Sequence, residues 1–201
     1  MTIQKPAITQ QPIHEVIANR WSGRAYDANK PVSKEQIISL LEAARWAPSC
    51  FGDEPWRYVV CNKADNMQAW QAAFDCLVPG NQGWAVNAPV LLLICADTVF
   101  RSNGKPNKWA PYDTGASTEN LCLQATALGL MAHQMGGFDA DKARTTFKVP
   151  ERFQILPMVT VGYQAAVEGL PDDVKERELA ARNRQPLGEL FFDGVWDNSI
   201  V

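Results

Sequence analysis

The chain has 201 residues, 46% hydrophobic and 20% charged, with a formal net charge of −3. That suffices for one domain burying roughly 70% of its unfolded surface, and the weak acidity argues against a nucleic-acid partner. No apolar run approaches the ~20 residues of a membrane-spanning helix, since the longest, residues 88–96, is strand length.

Residues 1–11 lack periodicity and read as a flexible arm, leaving 12–201 as a single domain. Pro12 opens a helix with Ile13, Val16 and Ile17 on one stripe, ending at Arg20. A second helix starts with the Ser33 and Gln36 spacing of a capping box. Ile37, Leu40, Leu41 and Ala44 follow at helical spacing, and Pro48 stops it. Arg57 to Cys61 reads as a short strand, 64–75 as a helix, and Pro79-Gly80-Asn81 as a break. Residues 89–96 do not alternate and predict a strand buried on both faces. Residues 100–112 form a polar loop of the length used for lids or binding. A long helix runs from Asp113 to about Leu128, with Gly129 as its C-terminal cap. Met131 to Met135 is a strand, Gly136-Gly137 a turn, Asp139 the cap of a short helix, and Ile155 to Tyr163 another strand. The last 38 residues, 164–201, show no strong core pattern before Leu187. Their Leu190, Phe191, Phe192 and Trp196 favour packing on another subunit.

Cys50, Cys61, Cys76, Cys95 and Cys122 contain no Cys-x-x-Cys pair and are odd in number, which suits reduced thiols. The N-terminus lacks an export pattern, so the expected location is cytoplasmic. Gly-x-Gly-x-x-Gly, the P-loop pattern and Gly-x-Ser-x-Gly are all missing. With only His14 and His133, no zinc site is expected.

Chemistry concentrates in three places. Arg20-Trp21-Ser22-Gly23-Arg24 and Arg182-Asn183-Arg184 supply guanidinium forks and a hydroxyl from opposite ends of the chain, the groups that grip a phosphate. Pro48-Ser49-Cys50-Phe51-Gly52-Asp53-Glu54-Pro55-Trp56-Arg57 forms a structured loop between a helix and a strand. Each has a plainer reading. Arg20 and Arg24 could complement a helix C-terminus, Ser49 could be a turn hydroxyl, and Gly136-Gly137 could only permit a tight turn. Trp56, His133 and Met135 could pack in the core, Trp109 and Tyr112 could anchor a surface loop, and Arg182 and Arg184 could be solvated.

Taken in order, these segments resemble the nitroreductase family. The match comprises Arg20, Ser22 and Arg24 after the first helix, the Pro-Ser…Pro-Trp loop, Leu128-Gly129-Leu130 with Gln134-Met135-Gly136-Gly137-Phe138-Asp139, and Arg182 and Arg184 before Pro186-Leu187. It spans about residues 13–190. The resemblance implies an α+β fold with a central mixed, mainly antiparallel sheet flanked by helices. It also implies an intertwined homodimer with FMN at the subunit interface and the C-terminal tail on the partner. Arg20, Trp21, Ser22 and Arg24 would hold the phosphate and pyrimidine edge. Pro48, Ser49 and Cys50 would reach the flavin from the other subunit, and Asn81 would contact the ring. Gln134, Met135, Gly136 and Gly137 would run along it, and Arg182 and Arg184 would complete the phosphate grip. The implied activity is ping-pong hydride transfer from NADH or NADPH through flavin N5 to a nitroaromatic or quinone, with no catalytic side chain. Alternatives are a specialised enoyl or iminium reductase, a non-catalytic FMN-binding protein, and an interaction module without flavin. Gly52 and Glu54 stand where the family usually has Asn and Gln, and Asp53 adds a carboxylate. Two anions beside a flavin would disfavour its reduced anion unless they turn away or pair with Arg57.

Overall fold

A computed structural model describes residues 3–201; the first two residues of the expected arm lie outside the described residues. Four strands, β1 (Trp56–Asn62), β2 (Val90–Asp97), β3 (Met131–Met135) and β4 (Phe153–Gly162), form one sheet in the order β1-β2-β4-β3. All three pairings are antiparallel. β2 lies inside the sheet and every residue of it is buried. Its side chains alternate between two cores, as a period of two requires. Leu92 and Ile94 face α2 (Lys34–Arg45) and α5 (Ala110–Ala127), meeting Leu40, Ala44, Leu121 and Ala125. Leu91, Leu93 and Cys95 face α3 (Met67–Phe74) and α6 (Ala140–Phe147), meeting Trp70, Ala73 and Ala143. Both sides are covered by helices, so the strand reads as an unbroken apolar run although its neighbours are antiparallel. The β2–β4 register slips between Leu92 and Ile94. Pro157 lies in the β4 stretch opposite, where a missing N–H is tolerated only at such an irregularity.

Several local signals act as expected. Ser33 Oγ accepts from Gln36 N–H at 3.2 Å while Gln36 Oε1 accepts from Ser33 N–H at 3.0 Å, closing the capping box of α2. Asp139 caps α6 through Lys142 N–H at 2.9 Å. Gly129, at φ +70°, ends α5 in the left-handed conformation that glycine adopts without strain. Trp56 is buried, as the plainer reading had it.

Other elements differ from expectation. The first helix, α1, is only Glu15–Asn19 and buries nothing; Ile13 and Ile17 are exposed. Pro79-Gly80-Asn81 is not a break but the start of α4 (Pro79–Ala85), because proline suits a first turn whose N–H has no partner anyway. Pro111 does the same for α5, which begins at Ala110 rather than Asp113. The tail contains a helix with no apolar stripe to announce it, α7 (Asp172–Leu179). Beyond it, Phe192 bridges Ser199, and the Phe192 and Trp196 rings lie 5.0 Å apart with Trp196 exposed. Among the described residues no helix is long and apolar enough to cross a membrane.

Candidate cofactor site

The segment after α1 and the segment after α7 meet. Arg20, Ser22, Arg24, Arg182 and Arg184 line one cleft of about 230 Å³, with Trp21, Lys5 and Arg177. Arg182 ties this corner together: its guanidinium donates to the carbonyls of Lys5, Ala18 (2.9 Å) and Arg20 (3.0 Å), closing the end of α1. Burial, and then the Arg20 and Arg184 charges, hold the Arg182 pKa below its ordinary value. Three guanidinium groups therefore crowd one site, an arrangement that favours a bound anion. Arg20 is steered by Glu119 at 3.3 Å. Lys5 donates to the Glu178 carbonyl at 2.8 Å and lies 4.5 Å over the Trp21 ring. Burial lowers the Lys5 pKa, Glu178 opposes that shift, and Arg182 adds to it.

The Pro48-Ser49-Cys50 loop is pinned to the first turn of α5. Cys50 N–H donates to the buried Asp113 carboxylate at 2.9 Å, and Ser49 Oγ accepts from Glu54 N–H at 3.0 Å, a turn role. Phe51, Gly52 and Glu54 all have left-handed φ, at +55°, +63° and +51°. Phe51 is 92% exposed with its ring edge-on to Phe100. Asp53 turns away into the 101–107 loop, where it accepts from Arg101 N–H at 2.8 Å and Asn107 Nδ2 at 3.3 Å. Arg57 donates to the carbonyls of Glu54 and Trp56, and no ion pair with Asp53 or Glu54 forms among the described residues. Of the two carboxylates, only Glu54 is left facing solvent.

α5 relates this loop to the cleft. Asp113, which holds Cys50, and Glu119, which meets Arg20, are six residues apart, or about 9 Å along the axis. Gln134 Nε2 reaches the same Glu119 at 3.4 Å. The Met135 side chain is buried in the second core, as its plainer reading had it. Only its main chain is available, on a strand with one neighbour. Gly137 is held by Asn81, whose Nδ2 donates to its carbonyl at 2.9 Å. A Cβ on Gly137 would stand 2.7 Å from Asn81 Nδ2 and 3.0 Å from Val78 Cγ2, whereas Gly136 borders open space. Asn81 thus positions the Gly136-Gly137 backbone.

Two further residues support the basic segment: Glu178, which carried no sequence signal, and His133, which read as a packing residue. Glu178, on α7, accepts from Arg24 N–H at 2.9 Å. His133 donates from Nδ1 to the Gly23 carbonyl at 3.0 Å and packs on Trp84. Burial pushes the His133 pKa down; the Gly23 carbonyl opposes this, and Arg24 and Arg20 add to it. The folded chain thus resists a proton that the unfolded chain accepts near pH ~6.5. The stability this gives is present above that pH and is lost as pH falls toward the lower folded value. Replacing His133→Gln, which keeps a donor for Gly23, is expected to shrink the fall in Tm between pH 7.5 and 5.5. An unchanged fall would remove His133 as its source.

Proteins of known structure share this fold. A solved structure described as an oxidoreductase containing FMN is 34% identical, with a TM-score of 0.88 and coverage of 99% of this chain and 100% of that one. A nitroreductase of Desulfovibrio desulfuricans, provisionally so named and solved with FMN, is 25% identical, with a TM-score of 0.70 and coverage of 94% and 99%. A Haemophilus influenzae protein with the provisional name NAD(P)H nitroreductase is 38% identical over 223 aligned positions, covering 91% of this chain and 96% of its own. The family model described as "Nitroreductase family" matches residues 17–163, and on that match, with the fold around it, this chain belongs to the nitroreductase family.

Proposed function

We propose that this protein is an FMN-dependent oxidoreductase that passes a hydride equivalent from NADH or NADPH to a flat, electron-poor acceptor such as a nitroaromatic or quinone. The observation that carries the reading is the cleft in which Arg20, Ser22, Arg24, Arg182 and Arg184 converge with Lys5 and Arg177. Its donors are forks, an ammonium and a hydroxyl, the set that suits a phosphate dianion. Arg182 spends three bonds on carbonyls, so Arg20, Arg24 and Arg184 would carry most of the grip. Bound FMN would supply the two-electron chemistry. The chain would supply Trp21 beside the phosphate, the main chain of Gln134 and Met135 at the sheet edge, and an open approach at Gly136. Protons would come from solvent, and orientation of the reactants would supply most of the rate.

A second copy of the chain fits this reading. A groove of about 350 Å³ between α1, α2 and α5 is lined by Val16, Ile17, Ala43 and Leu123, and Ile13 and Ile17 stand exposed. In a homodimer these faces would be covered, and Pro48, Ser49 and Cys50 would approach the neighbour's flavin. The tail aromatics Phe191 and Trp196 would lie on the partner. Five free cysteines suit the cytoplasm.

The test is an anaerobic titration of the yellow protein with NADH and, separately, NADPH, followed by reoxidation with a nitroaromatic or a quinone. Bleaching and recovery are expected, and the more effective nucleotide identifies the donor. A yellow protein that neither nucleotide bleaches is a binder and not this enzyme.

A further inference from the structure

We infer that Glu178 is a built-in counter-charge that holds the basic cleft together before a phosphate arrives and sets how tightly that phosphate is held. The inference rests on the phosphate reading above. Six cationic side chains line the cleft, those of Lys5, Arg20, Arg24, Arg177, Arg182 and Arg184; among the described residues Glu178 is the one carboxylate in that lining, with Glu119 pairing Arg20 from α5. Glu178 is 2% exposed. One oxygen accepts the Arg24 N–H, and the other, Oε2, is buried without a hydrogen-bond partner. A Cβ on Gly23 would stand 2.9 Å from Oε2 and 2.2 Å from Met131 Sδ, so the carboxylate lies directly beneath the backbone of the 22–24 segment.

A carboxylate this deep needs compensation for its lost hydration. No lysine or arginine closes on it as an ion pair among the described residues. Its charge is balanced by the surrounding cations at a distance. The dependence is mutual, because without an anion those cations repel one another in a small volume. A phosphate entering the cleft draws on the same positive potential that Glu178 already partly neutralises. Glu178 therefore stabilises the empty cleft and weakens the filled one. A simple structural prop would do the reverse, since its loss would loosen the segment and weaken every ligand.

Glu178→Gln separates the two, because the amide oxygen can still accept from Arg24 N–H while the charge is gone. Apo wild type and variant would be titrated with FMN and with riboflavin, which has the same ring and no phosphate, at low and high salt. The expected result is FMN binding tightened on the order of tenfold at low salt, shrinking at high salt. Riboflavin affinity should be unchanged and the apo Tm lowered. The double variant Glu178→Gln with Arg177→Gln restores the balance of charge, so its FMN affinity and apo Tm should return toward wild type. It also provides the readout if the single variant folds poorly. FMN affinity unchanged or weakened in both variants would overturn the inference and leave the phosphate reading intact. Wild type binding riboflavin as tightly as FMN would overturn the phosphate reading, and the role of Glu178 with it.

Discussion

A protein carrying Arg24→Glu and Arg184→Glu is expected to purify folded and colourless. Neither side chain supports the fold. Arg24 reaches no partner through its guanidinium among the described residues; only its main chain is held, by Glu178. Arg184 donates to the carbonyl of its neighbour Asn183 and is otherwise exposed. Each charge-assisted contact to a phosphate contributes about 1.5–3 kcal/mol. Losing two corresponds to roughly 10²- to 10⁴-fold weaker binding, and the introduced carboxylates add repulsion. Flavin absorbance measures the loss, and an unchanged circular dichroism spectrum with a near-native Tm shows that folding survived. A variant that stays yellow with wild-type affinity would show that these arginines do not anchor the cofactor.

Trp70→Ala is expected to be the most damaging of the simple core changes. Trp70 is 2% exposed, stacks on Phe74 with ring centroids 5.1 Å apart, and donates from Nε1 to the Ala88 carbonyl at 3.0 Å. It fills the space between α3 and the face of β2 that carries Leu91 and Leu93. Truncating a buried tryptophan costs about 3–5 kcal/mol, a large share of the roughly 5–15 kcal/mol that a domain has in total. Trp70→Phe keeps most of the packing but leaves the Ala88 carbonyl unpaired, so its loss should fall between wild type and Trp70→Ala. Urea unfolding reads both, and a cost below about 1 kcal/mol for Trp70→Ala would contradict this packing.

Local rules were legible wherever a few neighbouring residues decide the outcome. The Ser33 and Gln36 box, the Asp139 cap, the Gly129 stop and the apolar run of β2 all rest on short-range geometry. The Arg20 to Arg24 segment and the 182–184 segment were legible as chemistry, and the fold brings both to one cleft. What sequence could not reveal is where long side chains point. For Asp53 and Met135 two orientations were open, and the fold turns one into the 101–107 loop and the other into the core. Arg182 serves three carbonyls, a role that requires α1 and the arm to be in place. Glu178 and His133 gain meaning only through contacts across 154 and 110 positions of chain. α7 stayed hidden because a helix lying on a polar cleft has no apolar stripe to display.

The Arg182 clamp also constrains when the molecule can become complete. Its guanidinium reaches a carbonyl 162 positions earlier, so the cleft has only one wall until the 182–184 segment has folded back onto α1. A nascent chain halted before residue 172 would have both cores but no finished pocket. If the cleft holds an anion, filling it waits on that segment, and truncations that remove 172–184 should yield sheets that assemble and stay empty.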